Sequence, residues 1–123
     1  MVTMKDCIFC KIVSGEIPSK KIYEDDDILA FHDIDPRAPV HFLVIPKKHI
    51  SNIMESEAED LALLGKILFK AQELAKEPGL ESPEGCGEKG GRFVINCKSQ
   101  GGQSVDHLHL HFLGGRSMAW PPG

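Results

Sequence analysis

The segment His107-Leu108-His109-Leu110-His111 alternates histidine with leucine, a pattern that favours a β-strand. Successive side chains of a strand point to opposite faces, so His107, His109 and His111 would line one face. Same-face positions lie about 7 Å apart, which lets neighbouring imidazoles reach one small anion or one metal ion. Because histidine can act as nucleophile, base and acid near neutral pH, the segment predicts a reaction centre.

The same alternation is also typical of an ordinary half-buried strand whose histidines merely face water. The flanking residues favour a reaction site over this ordinary strand. Residues 96–104 contain a glycine pair, an amide and a hydroxyl, and Arg116 follows the segment. Glycine has no Cβ, so such a loop can bring backbone N–H groups against a phosphate.

Composition favours a small enzyme. The chain has 123 residues, and we expect residues 1–123 to form a single domain. A net charge of −4 without a basic block argues against a nucleic-acid partner. The apolar run Phe42-Leu43-Val44-Ile45 is too short to span a membrane, and the first six residues lack the apolar core of a signal peptide. We therefore expect a cytoplasmic protein whose four cysteines stay reduced.

Periodicity and breakers predict an α+β fold with one short helix, one long helix and a sheet of about five antiparallel strands. The short helix covers Cys7–Ser14 and ends at Gly15. The predicted strands are Lys21–Glu24, Ile28–His32, His41–Ile45, Arg92–Cys97 and Val105–Leu113. A surface loop is expected from Glu81 to Gly91.

The long helix is expected to open with a capping box formed by Ser56 and Glu59, and to stop at Pro78-Gly79. A stripe at steps of three and four residues predicts its core face, formed by Leu61, Leu64, Leu68, Ala71 and Ala75.

Residues 101–116, GGQSVDHLHLHFLGGR, resemble the signature of the histidine triad (HIT) family, in which three histidines alternate with apolar residues. The segments Ala30–Ile34 and His41–Ile50 and the ending Trp120-Pro121-Pro122-Gly123 resemble its Hint branch of purine nucleotide-binding phosphoramidases. The resemblance covers nearly the whole chain. It implies a HIT-like fold whose sheets are joined in a homodimer, with Trp120 contacting the partner subunit.

The resemblance also implies roles for individual residues. His109 matches the nucleophile and His111 a phosphate-contacting ring, while His107 and His41 match positions that support the central histidine. The implied phosphate-binding residues are Asn96, Gly102, Gln103, Ser104, His109 and His111. The implied nucleoside pocket consists of Ile8, Phe9, Ile12, Phe31, His32, Asp33 and Ile34. Asp106 stands where relatives usually carry an aromatic residue.

Cys7 and Cys10 have the CxxC spacing of a zinc site, which His49 and His107 would complete as in zinc-containing relatives. Alternatively, the two cysteines pack one turn apart as small apolar residues of the first helix. No cofactor is expected to be required for the reaction, and a structural zinc ion remains the open alternative.

The expected function is hydrolysis of the P–N bond of purine nucleoside 5′-phosphoramidates, such as adenosine 5′-monophosphoramidate or its lysine conjugate, through a nucleotidyl-histidine intermediate. Purine mononucleotides and nucleoside phosphoramidates are the expected ligands. Two alternatives stay open. One is a nucleotide-binding regulatory protein with little turnover, and the other is a dinucleoside polyphosphate hydrolase.

Overall fold

The computed structural model describes residues 6–79 and 84–123. The predicted loop from Glu81 to Gly91 lies partly outside these ranges. The helices are α1 (Ile8–Ser14), α2 (Leu61–Lys76) and α3 (Lys98–Gly101), and two 3-10 turns cover Ile53–Glu55 and Ala58–Asp60. The strands are β1 (Lys21–Glu24), β2 (Ile28–His32), β3 (Val40–Pro46), β4 (Gly91–Val94) and β5 (Leu110–Gly114).

The five strands form one antiparallel sheet in the order β1-β2-β3-β5-β4. The predicted α+β class and five-stranded antiparallel sheet are confirmed. Short connections pair β1 with β2 and β2 with β3, whereas β5 inserts between β3 and β4. Neither described range contains a helix with the length and hydropathy needed to cross a bilayer.

The two faces of the sheet are covered to different extents. Helix α2 packs on one face through Ile67, Ala71 and Leu74, against a core that includes Phe42 and Phe112. The other face is covered by α1, whose seven residues span only about 10 Å. A second core cluster joins the two: Cys7, Phe9, Cys10, Ile12, Leu29, Phe31, Leu43 and Ile45. His41 and His111 lie on this second face, because His111 pairs in register with Leu43, and His41 with Leu113.

Helix α1 ends as predicted: Gly15 adopts φ 87° in the left-handed region and its N–H bonds to Ile12 O. The predicted capping box of the long helix is wrong by one residue. Glu57 and Asp60 form the reciprocal pair, while the Ser56 hydroxyl donates to Ile53 O at 2.7 Å. The Ser56 side chain therefore bonds within the preceding 3-10 turn and does not cap the long helix.

The predicted core stripe of α2 is wrong at two positions. Ala71 and Ala75 are buried, but Leu61 is 74% exposed and Leu68 53% exposed. The buried face is completed instead by Ile67 and Leu74. Successive residues of a helix are rotated by about 100° around its axis, so Leu61 and Leu68 lie roughly 75–95° around the axis from the centre of the buried face. The predicted stripe therefore follows the edge of the buried face and not its centre.

The prediction of one strand over Val105–Leu113 is wrong in its first half, since β5 begins at Leu110. If the register that pairs Val44 with Leu110 continued, residue 108 would lie opposite Pro46, which has no N–H to donate to the ladder. Leu108 N donates to Ile50 O at 2.6 Å instead. Of the three alternating histidines, only His111 therefore belongs to the strand.

Candidate active site

His109 and His111 form an adjacent pair of imidazoles, with ring centroids 4.9 Å apart. His109 Nδ1 lies 2.7 Å from the backbone oxygen of His107. A carbonyl can only accept, so the proton of His109 sits on Nδ1 and Nε2 carries a lone pair. The Phe9 ring packs nearly perpendicular to the His109 ring, at 5.1 Å between centroids, which restricts the orientation of that imidazole.

A chain of hydrogen bonds fixes the opposite tautomer in His111. The backbone N–H of Arg37 donates to His41 Nδ1 at 3.0 Å, so the proton of His41 sits on Nε2. His41 Nε2 lies 3.0 Å from His111 Nδ1 and 3.3 Å from Asp33 Oδ2. His111 Nδ1 therefore accepts, and the proton of His111 sits on Nε2. The pair presents a lone pair on His109 beside an N–H on His111, which suits nucleophilic attack next to an acid.

Burial keeps these imidazoles neutral. It lowers the pKa of His111 to about 4, and the neighbouring His109 and His41 contribute to the shift. Burial likewise lowers the pKa of His109 and of His41, with Asp33 acting in the opposite direction on both. The lone pair of His109 is therefore unprotonated at neutral pH.

His107 faces away from this pair, contrary to the expected common face. Its ring is fully buried and its Nε2–H donates to Pro46 O at 2.8 Å. Its Nδ1 lone pair points at Cys7 Sγ (3.3 Å), Cys10 Sγ (3.6 Å) and His49 Nδ1 (3.2 Å). The His107 backbone carbonyl, and not its ring, contacts His109.

Cys7, Cys10, His49 and His107 form a cluster whose four candidate ligand atoms lie within 4.8 Å of one another. Cys10 Sγ lies 3.2 Å from His49 Nδ1. A tetrahedral zinc ion with bonds of about 2.0 Å to nitrogen and 2.3 Å to sulfur sets its ligand atoms roughly 3.3–3.8 Å apart. The carbonyl on His107 Nε2 is the outer partner that zinc-bound histidines usually have. The cluster therefore has the donors and spacing of a zinc site.

The predicted phosphate loop contains α3, which the sequence did not indicate. Gly102 ends α3 at φ 78°, a conformation that favours glycine. The Gln103 amide is used inside the loop: Oε1 accepts from Lys98 N, and Nε2 donates to Ser51 O and Val105 O. Gln103 thus shapes the loop. Asn96 lines a cavity with His111, while Ser104 lines another with Cys7 and His49.

The seven predicted nucleoside residues separate into three groups. His32, Asp33 and Ile34 line a cavity of about 660 Å³ together with His41. Phe9, Ile12 and Phe31 belong to the core between α1 and the sheet, where the rings of Phe9 and Phe31 meet edge to face. Ile8 is 46% exposed and lines the cavity of Ser104.

Two further features complete the description of the predicted residues. Trp120 is 82% exposed. Asp106 is exposed beside His49 and raises the pKa of that imidazole, while burial, the larger effect, lowers it. The backbone groups of Pro46 and Arg37 that fix the tautomers were not predicted, since backbone groups carry no signal in the sequence.

The fold and the site define a small α+β protein built around a pair of adjacent histidines, of which His109 is buried and His111 partly buried. A family model described as the HIT domain matches residues 14–118, and the chain belongs to the HIT family. It has the fold and the domain of HIT family hydrolases.

Relatives match along almost the full chain. An uncharacterized HIT-like protein of Synechococcus elongatus is 52% identical over 119 residues, covering 97% of this chain and 98% of its own. A 14 kDa zinc-binding protein of Brassica juncea is 48% identical over 120 residues, covering 96% and 100%. The crystal structure of a HIT family hydrolase from Legionella pneumophila aligns with a TM-score of 0.88 at 52% identity, covering 96% of this chain and 100% of the other. A histidine triad protein from Clostridium difficile aligns at 0.85 and 42%, covering 96% and 97%.

Proposed function

We propose that this chain is a Hint-branch enzyme that hydrolyses the P–N bond of purine nucleoside 5′-phosphoramidates through a nucleotidyl group on His109. The observation that carries the proposal is the pair of opposed tautomers. The His107 carbonyl holds the proton of His109 on Nδ1, and His41 holds that of His111 on Nε2. One ring can attack while its neighbour exchanges a proton.

In the first half-reaction, His109 Nε2 forms a bond to phosphorus and the P–N bond breaks. The leaving nitrogen keeps the bonding electrons and takes a proton from His111 Nε2. The His41–His111 pair takes up one additional proton when the substrate binds, because the phosphoryl anion beside the two rings favours a positive charge there, and the pair is therefore left neutral after the transfer. The amine leaves neutral, and His109 holds the nucleotidyl group.

In the second half-reaction, water attacks phosphorus and the bond to His109 Nε2 breaks. A proton of that water returns to His111 Nε2, so the pair regains what it lost, and a nucleoside monophosphate is released. Proton transfer by a placed side chain contributes about 10²–10⁴-fold to such rates. The His111 ring thus serves as acid and then as base.

The substrate is placed by its two ends. Residues 96–104 supply backbone N–H groups and the Asn96 amide to the phosphate, where oriented donors stabilise developing charge. The cavity of His32, Asp33 and Ile34 receives the nucleoside, with the Asp33 carboxylate accepting from ribose hydroxyls. Phe9 and Phe31 act by holding α1 and the sheet beside that cavity.

We further propose that the Cys/His cluster binds a structural zinc ion. The distances of 3.2–3.6 Å among its donors and the name of the Brassica juncea relative support this. A bound ion would favour the thiolate forms of Cys7 and Cys10. A cytoplasmic location, where thiols stay reduced, agrees with such a site.

We also propose that the protein is a homodimer joined through α2 and the edge strand β4. Apolar side chains there face solvent in the isolated chain: Leu61, Leu68, Phe93 and Ile95 are 74%, 53%, 41% and 39% exposed. Leu61, Leu68 and Ile95 border one apolar cavity, and exposed apolar surface of this kind typically marks an interface. The exposed Trp120 belongs to a tail that would reach the partner. Light scattering tests the mass in solution.

Mass spectrometry of the protein quenched during turnover of an adenosine phosphoramidate tests the reaction. We expect release of the amine followed by an equal amount of AMP, and a nucleotidyl adduct that maps to His109. An adduct on another residue would refute the nucleophile assignment. Binding of AMP without release of amine would support the regulatory alternative, and turnover of only a dinucleoside polyphosphate would support the other hydrolase.

A further inference from the structure

Every arginine of this chain lines the same cavity. The sequence contains eleven lysines but only three arginines, Arg37, Arg92 and Arg116. All three border a cavity of about 310 Å³ that opens beside His111. The other lining residues are Val94, Asn96, Leu113, Met118 and Pro122, so none of the described residues brings a carboxylate to this wall.

Within residues 6–79 and 84–123, little negative charge compensates the arginines of this arginine cavity. Arg92 Nη2 donates to the backbone oxygen of Ala119 at 2.6 Å, and Arg116 Nε donates to that of Arg37 at 3.1 Å. These bonds orient the guanidinium groups without neutralising them. Among the residues that the structure describes, only Arg37 pairs with a carboxylate, that of Asp35, and their side chains are 72% and 75% exposed. Exposed pairs of this kind contribute little.

The β4 wall of the arginine cavity lies on the side of His111 away from the proposed nucleoside cavity, whereas Arg37 directly follows Pro36, which lines the nucleoside cavity. His32 and Asp33 come from the end of β2, whereas Arg92 and Val94 come from β4 at the far edge of the sheet. A nucleoside near Asp33 and a leaving nitrogen at His111 Nε2 would direct the remainder of the leaving group toward Arg92.

We infer that the arginine cavity binds the leaving group, and that this leaving group is an amine carrying an anionic function, a carboxylate or a phosphate. The inference rests on the proposed phosphoramidate hydrolysis and specifies its substrate class. The planar guanidinium fork matches both anions with paired N–H donors, which an ammonium group cannot do. This explains why arginine is confined to one cavity in a chain that uses lysine elsewhere.

Matched substrates test the inference. Adenosine phosphoramidates of ω-amino acids with three to six carbons are compared with those of the corresponding ω-amino carboxamides, which differ in charge but little in size. O-Phosphoethanolamine as leaving group separates phosphate from carboxylate. At low ionic strength we expect kcat/KM to favour the acid over the amide by at least about 10-fold at the best chain length, as for hydrogen bonds to charged groups. The preference should shrink as salt is added.

The variant Arg92→Gln is expected to reduce this acid-over-amide preference by about 3–10-fold while leaving the neutral substrate little changed. Arg37→Gln gives a second measurement that does not involve the contact with Ala119. Arg92→Lys, which keeps the charge, should recover only part of the preference. Lys21→Gln on β1, at the opposite edge of the sheet, removes the same charge and should preserve the preference.

The outcomes separate the two proposals. If no phosphoramidate is hydrolysed, the proposed function is wrong. If acid and amide substrates are hydrolysed equally well, the enzyme stands and the leaving-group assignment falls. Equal losses for both substrates in Arg92→Gln and Arg37→Gln would also overturn it, because the arginines would then act on the transferred phosphate.

Discussion

His107 and His109 lie two residues apart and are 0% and 3% exposed, yet their rings are used in opposite ways. His107 gives its Nε2 proton to Pro46 O and turns Nδ1 into the Cys/His cluster. His109 gives its Nδ1 proton to His107 O, and its Nε2 makes no hydrogen bond within the described part of the chain. Burial and residue type are nearly the same, so the carbonyl that each ring meets decides its chemistry.

Replacing His109, whose Nε2 is the proposed nucleophile, should have the largest effect on activity. His109→Asn removes Nε2 but keeps an N–H that can donate to His107 O, so folding should persist. Loss of a nucleophile costs at least about 10⁴-fold in kcat, equivalent to about 5.5 kcal/mol. The release of AMP from adenosine phosphoramidate measures this effect.

Zinc content and thermal unfolding serve as controls for that variant, because the cluster on His107 is untouched. Activity above about 1% of the parent protein would contradict the nucleophile role, since it is far more than a missing nucleophile allows.

The next effect should come from the proton of His111. His111→Gln is expected to lower kcat/KM by about 10²–10⁴-fold with an alkylamine leaving group, the range for a lost general acid. An aniline leaves with less help from an acid, so its loss should be at least about 10-fold smaller. Equal losses for both leaving groups would show that the His111 ring binds phosphate without transferring a proton.

The cluster should respond in metal content and stability. Cys10→Ser weakens one of four donors around His49 and His107, and we expect substoichiometric zinc and a Tm lower by at least about 8 °C, or 2 kcal/mol at roughly 4 °C per kcal/mol. Elemental analysis and thermal unfolding with and without chelator measure these effects. Cys97→Ser, whose thiol lies outside the cluster near Asn52, is the matched control. A metal-free parent protein with the same Tm as Cys10→Ser would exclude the zinc site.

Much of the fold follows from local patterns. Gly15 ends α1 because a left-handed residue suits glycine, and β1 and β2 are short runs with apolar and aromatic residues separated by an acidic turn. The errors arise where a distant residue decides. Pro46 stops the ladder that Leu108 would have joined, although the two residues lie more than sixty positions apart in the sequence. Leu61 and Leu68 have the spacing of a core face but flank the buried one.

The site shows the same division. The histidine spacing and the resemblance named the residues, but the orientation of each ring depends on carbonyls and N–H groups of distant segments. Gln103 illustrates this point. Its side chain holds the loop through Lys98, Ser51 and Val105, which residue identity alone could not distinguish from direct phosphate binding. The three arginines lie far apart in the sequence, and their common cavity follows only from the pairing of β4 with β5 in the sheet.

The smallest expected effect, counted per pH unit, is the pH dependence of stability. Burial lowers the pKa of His111 to about 4, whereas an unfolded histidine titrates near about 6.5. Between these values the unfolded chain binds a proton that the folded chain does not, so acid favours unfolding. Stability from this group is complete above about pH 6.5 and declines as the pH falls toward about 4, by at most about 1.4 kcal/mol per pH unit.

Urea unfolding of the chelator-treated protein at several pH values between about 4 and 7 measures this slope. His111→Gln should make the slope shallower, and His41→Gln should act in the same direction because burial also lowers the pKa of His41. The cluster histidines contribute a background that both variants share with the parent protein. Unchanged slopes in both variants would show that the pair accepts a proton as readily when folded as when unfolded. In that case, burial would not keep His41 and His111 neutral, and the two rings would titrate like ordinary exposed histidines.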